Sequence, residues 1–201
     1  MEDKNIAGEE ELRSGSKHSA GRSWNKNEDT SGGAYDWLQS IVSAMVICVL
    51  IFVFLFRVVN VIGSSMVPTL ENGDKIIVSN LFYKPEYGDI VVVRKESFSD
   101  EAIVKRVIAT GGQTIDIDFV SGTVTVDGKV LEEDYIADLT HDSENFDGEI
   151  TVPDGCLFVM GDNRNRSTDS RSAAIGFIDE REIIGKALFR LLPAKKFGSV
   201  Y

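Results

Sequence analysis

The chain has 201 residues, enough for one domain of ordinary size and an extension. Its net charge of −11, with no Lys/Arg-rich patch, excludes a nucleic-acid binder. Cys48 and Cys156 lie far apart with no Cys-x-x-Cys spacing, and His18 and His141 are the two histidines, so neither a disulfide nor a metal site is expected.

Residues 1–35 are polar, rich in Gly, Ser, Asn and Glu, and carry no apolar period; they read as a disordered tail. A membrane helix is predicted over 36–59. From Trp37 to Phe56 no residue is charged, and these twenty residues would span about 30 Å as a helix, the thickness of a bilayer core. The β-branched content opposes a helix in water, but in lipid the backbone must bond to itself. Tyr35 and Trp37 suit the headgroup layer at one end and Arg57 at the other. The leader is long and acidic, and RVVNVIG offers no small-residue cleavage site, so the segment reads as an anchor and not a signal peptide. Lys17, Arg22 and Lys26 before the span, against Arg57 and Lys75 after it, lean towards an inside N-terminus.

From residue 60 to 201 the texture is that of short strands, at 74–80, 88–95, 102–110, 113–119, 123–131, 155–162 and 186–193. QTIDIDF and TVTV alternate as half-buried strands do, and the Asp-Gly of TVTVDGKV marks a hairpin. REIIGKALF is β-branched and aromatic enough to favour strand over a short helix. Residues 132–150 are acidic and irregular, a loop excursion. NLFYKPEYG either packs in the core or presents Phe82 and Tyr83 to a membrane surface. The expected fold is mainly β, an antiparallel, barrel-like domain behind one transmembrane helix.

Three stretches hold candidate chemistry. GSSMVPTL, residues 63–70, holds two serines beside a proline that restrains the turn; a nucleophile there needs a base. His18 lies in the tail and His141 in the acidic excursion, which leaves a carboxylate or Lys105. Lys105 is flanked by Ile103, Val104, Val107 and Ile108. Facing water, it is explained by strand alternation; facing inwards, burial disfavours its charge and fits it for base catalysis. Arg106 is the adjacent cation, although successive strand residues face opposite ways. GDNRNRSTDSR, residues 161–171, is either a polar surface turn or an ion-pair lattice of Asp162, Arg164, Asp169 and Arg171.

Ser-Met-x-Pro-Thr just past a membrane segment, a GDIVVV strand, Lys-Arg about forty residues on, then GDNRxxSxDSR: from residue 36 onward the chain resembles the bacterial type I signal peptidases, and most closely their Gram-positive-like branch. The resemblance implies a membrane-anchored serine endopeptidase with a Ser/Lys dyad, acting outside the cytoplasmic membrane. Ser65 matches the nucleophile and Lys105 the general base. Ser167 matches the hydroxyl that orients the lysine, Asp169 and Arg171 the supporting pair, and Arg106 a further ion-pair partner. The Ser65 N–H would serve the oxyanion hole. Met66, Val61, Ile103 and Val104 would line pockets for small side chains, giving Ala-x-Ala-like cleavage. Some members carry a serine two positions before the nucleophile as a second oxyanion donor; here that position is Gly63 and the residue between is Ser64. The implied partners are the signal peptides of Sec- and Tat-exported preproteins and membrane lipids, with no cofactor.

Three other classes of reading compete, the first being another Ser/Lys protease of the same broad fold. A Ser/Lys repressor-like protease would carry a basic helix-turn-helix segment, and a pilus-maturation peptidase would share the motifs. A Ser-His relative would place histidine at 105. A non-enzymatic, membrane-anchored β-domain would not need both Ser65 and Lys105.

Overall fold

The computed structural model describes residues 30–99 and 101–201. The tail reading for residues 1–29 lies outside them, while residues 30–35, expected in the tail, are helical. Helix α1 runs Thr30–Leu55. Within it Tyr35–Leu55 forms a 21-residue apolar segment of mean hydropathy 2.7, with none of that surface buried. By length and composition it matches a bilayer core.

The helix ends at Leu55, short of the expected boundary at residue 59. Arg57–Asn60 is not its last turn but strand β1, paired antiparallel with β2 (Lys75–Ser79) from Arg57 opposite Val78 to Asn60 opposite Lys75. β-branched Val58 and Val59 fit a pleated ladder better than a helix, and β2 supplies the partner that local sequence cannot reveal.

The remaining strands are β3 (Ile90–Val93), β4 (Ile103–Thr110), β5 (Thr114–Asp118), β6 (Thr123–Val126), β7 (Lys129–Val130) and β8 (Ile150–Thr151). They are followed by β9 (Cys156–Met160), β10 (Ile178–Asp179), β11 (Ile183–Leu192) and β12 (Gly198–Ser199). One sheet runs β1-β2-β11-β3-β4-β9-β10 with β12 on β11; a smaller one runs β7-β6-β5-β8. The pairings are antiparallel throughout, so the fold is mainly antiparallel β with one apolar helix, as expected. Asp127 and Gly128 both take positive φ between β6 and β7, the backbone that a two-residue hairpin requires.

Position in the sheet explains the patterns. β3 reads Ile-Val-Val-Val and is buried on both faces between β11 and β4, whereas β5, between β6 and β8 in the small sheet, buries one face and alternates. The aromatic stretch at 80–88 divides. Tyr83 packs against a core cluster and donates to Asp89 at 2.8 Å, while Phe82 is 94 % exposed. The excursion at 132–150 has no regular element before β8, yet Phe146 anchors it in an aromatic stack with Phe119 and Phe158.

Candidate active site

Three segments far apart in sequence meet here: the turn after β1, the middle of β4, and the chain leaving β9. Each is held for a local reason.

Residues 63–70 form a turn, not a regular element, with Gly63 at φ +91°, a left-handed backbone that favours glycine. Its N–H donates to Asn72 Oδ1 at 2.9 Å. Met66 and Leu70 plug the turn into a core cluster with Val61 and Val104. Ser65 follows from this anchoring: its neighbour Met66 is buried, and Ser65 itself is half-buried at the surface of the turn.

Lys105 faces inwards. It sits opposite Val91 of β3 and is 4 % exposed. Its Nζ lies 3.1 Å from Ser167 Oγ, and Ser167 Oγ in turn lies 2.8 Å from Asp169 Oδ2. A hydroxyl has one proton to give. With that proton on the Asp169 carboxylate, Ser167 accepts from Lys105, and the lone pair of a neutral amine stays free for another group. Burial pushes the Lys105 amine below its usual range, with the Arg171 charge acting the same way and Asp169, Glu144 and Asp162 opposing. The neighbouring cation is thus Arg171. Arg106, one residue on, faces the opposite side and is neutralised there.

Arg106 grips Asp162 in a bidentate pair, Nε to Oδ1 at 2.8 Å and Nη2 to Oδ2 at 2.7 Å. It also donates to Gly88 O at 2.8 Å, and its guanidinium lies 4.0 Å from the Tyr135 ring centroid. Thr69 Oγ1 donates to Asp162 Oδ2 at 2.5 Å, which ties the far end of the serine turn to this pair.

The lattice of 161–171 differs from one closed within the motif. Asp169 does pair with Arg171, Nε to Oδ1 at 2.8 Å, both buried. Asp162, however, takes Arg106, and Arg164 takes Glu133 at 2.8 and 2.5 Å. The motif is thus latched to β4 on one side and to the acidic excursion on the other. Arg171 Nη1 donates to Asp142 O at 2.5 Å, and Asn165 Oδ1 accepts the amides of His141 and Asp142 at 3.0 Å.

The motif also clamps the serine turn. Asn163 N–H donates to Ser65 O at 2.9 Å and Asn163 Nδ2 to Ser64 O at 3.1 Å. Gly161 lies so close that a Cβ there would fall 2.5 Å from Ser65 O and 2.3 Å from Ser167 Oγ. Ser65 and Lys105 therefore belong to one cluster, joined through Gly161, Asn163 and Ser167; among the described residues no hydrogen bond runs directly between them. Of the expected pocket residues, Val61, Met66 and Val104 share one apolar cluster, and Ile103 packs against another with Val91 and Val107. His141 is exposed, its Nδ1 3.0 Å from Phe119 O. Among the described residues no group of three or more His, Cys, Asp or Glu is arranged to hold a metal.

Comparison with known proteins gives the family of the chain. The family described as "Signal peptidase, peptidase S26" matches residues 34–192. The protein named "Probable signal peptidase I-1" of Synechocystis sp. is 38 % identical over 170 residues, covering 80 % of this chain and 83 % of that protein. Signal peptidase I of Bacillus licheniformis is 33 % identical over 178 residues, covering 84 % and 94 %. Signal peptidase I T of Bacillus subtilis is 36 % identical over 168 residues, covering 79 % and 85 %. The chain belongs to the signal peptidase family, peptidase S26. It is a peptidase, and the apolar helix ahead of its β-domain is consistent with a membrane anchor.

Several residues that contact this candidate site carried little or no signal in the sequence. Glu133 and Glu144 sit in an acidic stretch where any carboxylate reads as solvated, and Asn163 and Gly161 look like ordinary turn residues. Gly161 directly follows the buried strand β9, where glycine marks close backbone approach; that was the one available hint.

Proposed function

We propose that this peptidase is a membrane-anchored serine endopeptidase that removes signal peptides from preproteins exported by the Sec and Tat routes, using Ser65 as nucleophile and Lys105 as base. The observation that carries the reading is Lys105: a lysine buried in an apolar strand, held by a hydroxyl that leaves its lone pair free, in one cluster with the clamped Ser65 turn.

The chemistry runs in two halves. Neutral Lys105 takes the Ser65 hydroxyl proton as Oγ attacks the carbonyl carbon of the scissile bond. The tetrahedral oxyanion is met by the Ser65 N–H. The C–N bond breaks, the Lys105 ammonium returns its proton to the leaving amine, and an acyl-enzyme remains. Water then attacks, giving its proton to Lys105; the C–Oγ bond breaks and Ser65 is reprotonated. Catalytic hydrogen bonds commonly tighten when substrate binds, which accounts for a Ser65 not yet bonded to Lys105. Ser167 is a positioning residue, as are Asp169 and Arg171 behind it and the Arg106–Asp162 pair. Val61, Met66, Ile103 and Val104 shape the recognition of small side chains at Ala-x-Ala-like sites. The helix crosses the cytoplasmic membrane once with its N-terminus inside, so that the β-domain works on the extracytoplasmic side among membrane lipids. Anchoring both enzyme and substrate in one bilayer raises their effective concentration.

The test is one assay: detergent-solubilised protein with a preprotein, comparing parent, Ser65→Ala and Lys105→Ala. Cleavage by the parent, lost in both variants, is expected. A parent that leaves the preprotein intact, or a Ser65→Ala protein that still cuts it, overturns the reading.

A further inference from the structure

Glu144 lies in the acidic excursion, outside the three motif stretches, yet its carboxylate reaches the catalytic cluster. Oε2 accepts the Asp169 N–H at 3.1 Å, with the Thr168 side chain as a further hydrogen-bonding neighbour. Asp169 is the residue whose carboxylate holds the Ser167 hydroxyl, and Ser167 holds Lys105. One side chain therefore links the excursion to the amide of the residue that orients the base.

The backbone around Glu144 supports a specific placement. Glu144 and Asn145 both take left-handed φ, +47° and +75°, which is uncommon for a non-glycine residue such as Glu144. The strain is held in place from both sides: Asp142 O accepts from Arg171, and Phe146 is packed between Phe119 and Phe158. The two left-handed residues are the central pair of a tight turn closed by the Phe146 N–H on Ser143 O at 2.8 Å, and that turn aims the Glu144 carboxylate at the Asp169 amide.

We propose that Glu144 is a positioning residue for the catalytic base: its carboxylate, fixed on the Asp169 amide, adds a second negative charge behind Lys105 and sets the pH at which the enzyme becomes active. The inference rests on Lys105 as the base. The charges that face Lys105 are Asp169 and Arg171 of the motif, Asp162 at the end of β9, and Glu144 of the excursion; β3, across the ladder, brings Val91. Asp169 is committed to a bidentate pair with Arg171 and Asp162 to one with Arg106. Glu144 has an amide and a hydroxyl as partners, so among these carboxylates it is the one whose charge is not offset by a paired cation. Burial raises its pKa above the usual carboxylate range, and where it is ionised its charge acts on Lys105.

The sign follows directly. A carboxylate near an ammonium favours the ammonium, so charged Glu144 holds Lys105 protonated to higher pH. Glu144→Gln keeps an acceptor oxygen for the Asp169 N–H and removes the charge. Its acidic limb of kcat/KM against pH should move to lower pH by about half to one unit, a roughly 3- to 10-fold gain on the acid side of the parent limb. Glu144→Ala should show the same displaced limb on a lower plateau, because the amide loses its acceptor. Glu144→Asp keeps the charge on a shorter arm, and its limb should stay near the parent position while the plateau falls. Profiles are measured on full-length, detergent-solubilised protein, with thermal unfolding as the check on folding. Limbs that superimpose in all variants overturn the proposal and leave Glu144 a structural latch; so does a shift of the Gln limb to higher pH. Parent activity abolished by Lys105→Ala, measured alongside, separates failure of this proposal from failure of the Ser/Lys reading.

Discussion

Gly161→Ala should damage catalysis more than folding. The added Cβ would lie 2.3 Å from Ser167 Oγ, 2.5 Å from Ser65 O and 2.6 Å from Ser167 Cβ. Non-bonded heavy atoms settle at about 3.5–4.0 Å, so one or more of these groups must retreat by about 1 Å. Neither has slack. Ser65 O is tied to the Asn163 N–H at 2.9 Å, and Ser167 is held between Lys105 and Asp169. Overpacking of this kind costs about 1–3 kcal/mol of stability. A displacement of about 1 Å between nucleophile and base is expected to lower kcat about 100-fold, with little change in KM. The assay is hydrolysis of a signal-peptide-like substrate, with kcat and KM determined separately and unfolding followed on the same samples. Gly128→Ala is the matched control. Gly128 has φ +74° in the β6–β7 turn and open space around it, so alanine there should cost roughly 1 kcal/mol of stability and leave kcat unchanged. A folded Gly161→Ala protein with kcat within about threefold of the parent would refute the clamp and the alignment argued from it.

Two further outcomes follow from the buried charges. Lys105→Met should abolish cleavage yet stabilise the fold at neutral pH. The amine is held below its ordinary value of 10.5, so between the folded and unfolded values the unfolded chain binds more protons, and stability of the parent rises with pH. The advantage of Lys105→Met should be full below the folded value and fade as pH approaches 10.5; unfolding midpoints that show no such convergence would contradict an inward-facing lysine. Arg106→Met leaves Asp162 buried without its bidentate partner and should cost about 3–5 kcal/mol. Arg106→Met combined with Asp162→Asn should recover much of that loss, and additive denaturation energies for the pair would count against the coupling.

Local pattern carried much of the fold. The apolar run from Trp37, the alternation of QTIDIDF and TVTV, and the Asp-Gly turn each record a side chain's need for lipid, core or solvent, and each emerged as the expected kind of element. Where pattern misled, the competing term was non-local. Val58 and Val59, assigned to the helix for their apolar character, pair with β2 instead, and β8, β10 and β12 are two residues long, too short to show a period.

The site divides in the same way. By itself the sequence determined which residue types were available, and it carried the order of motifs that marks the family: a serine turn after an apolar helix, a Lys-Arg pair in a β-rich segment, and a polar run after a buried strand. Tertiary structure alone decided that Lys105 points inwards, that Arg171 and not Arg106 is the cation beside it, and that Glu133 and Glu144 contact the 161–171 motif. The physical reason is that a charge takes its meaning from what surrounds it. Strand pairing brings β4 against β9, side-chain hydrogen bonds bring the excursion against the motif, and the environment of an amine or a carboxylate exists only once those distant segments have met.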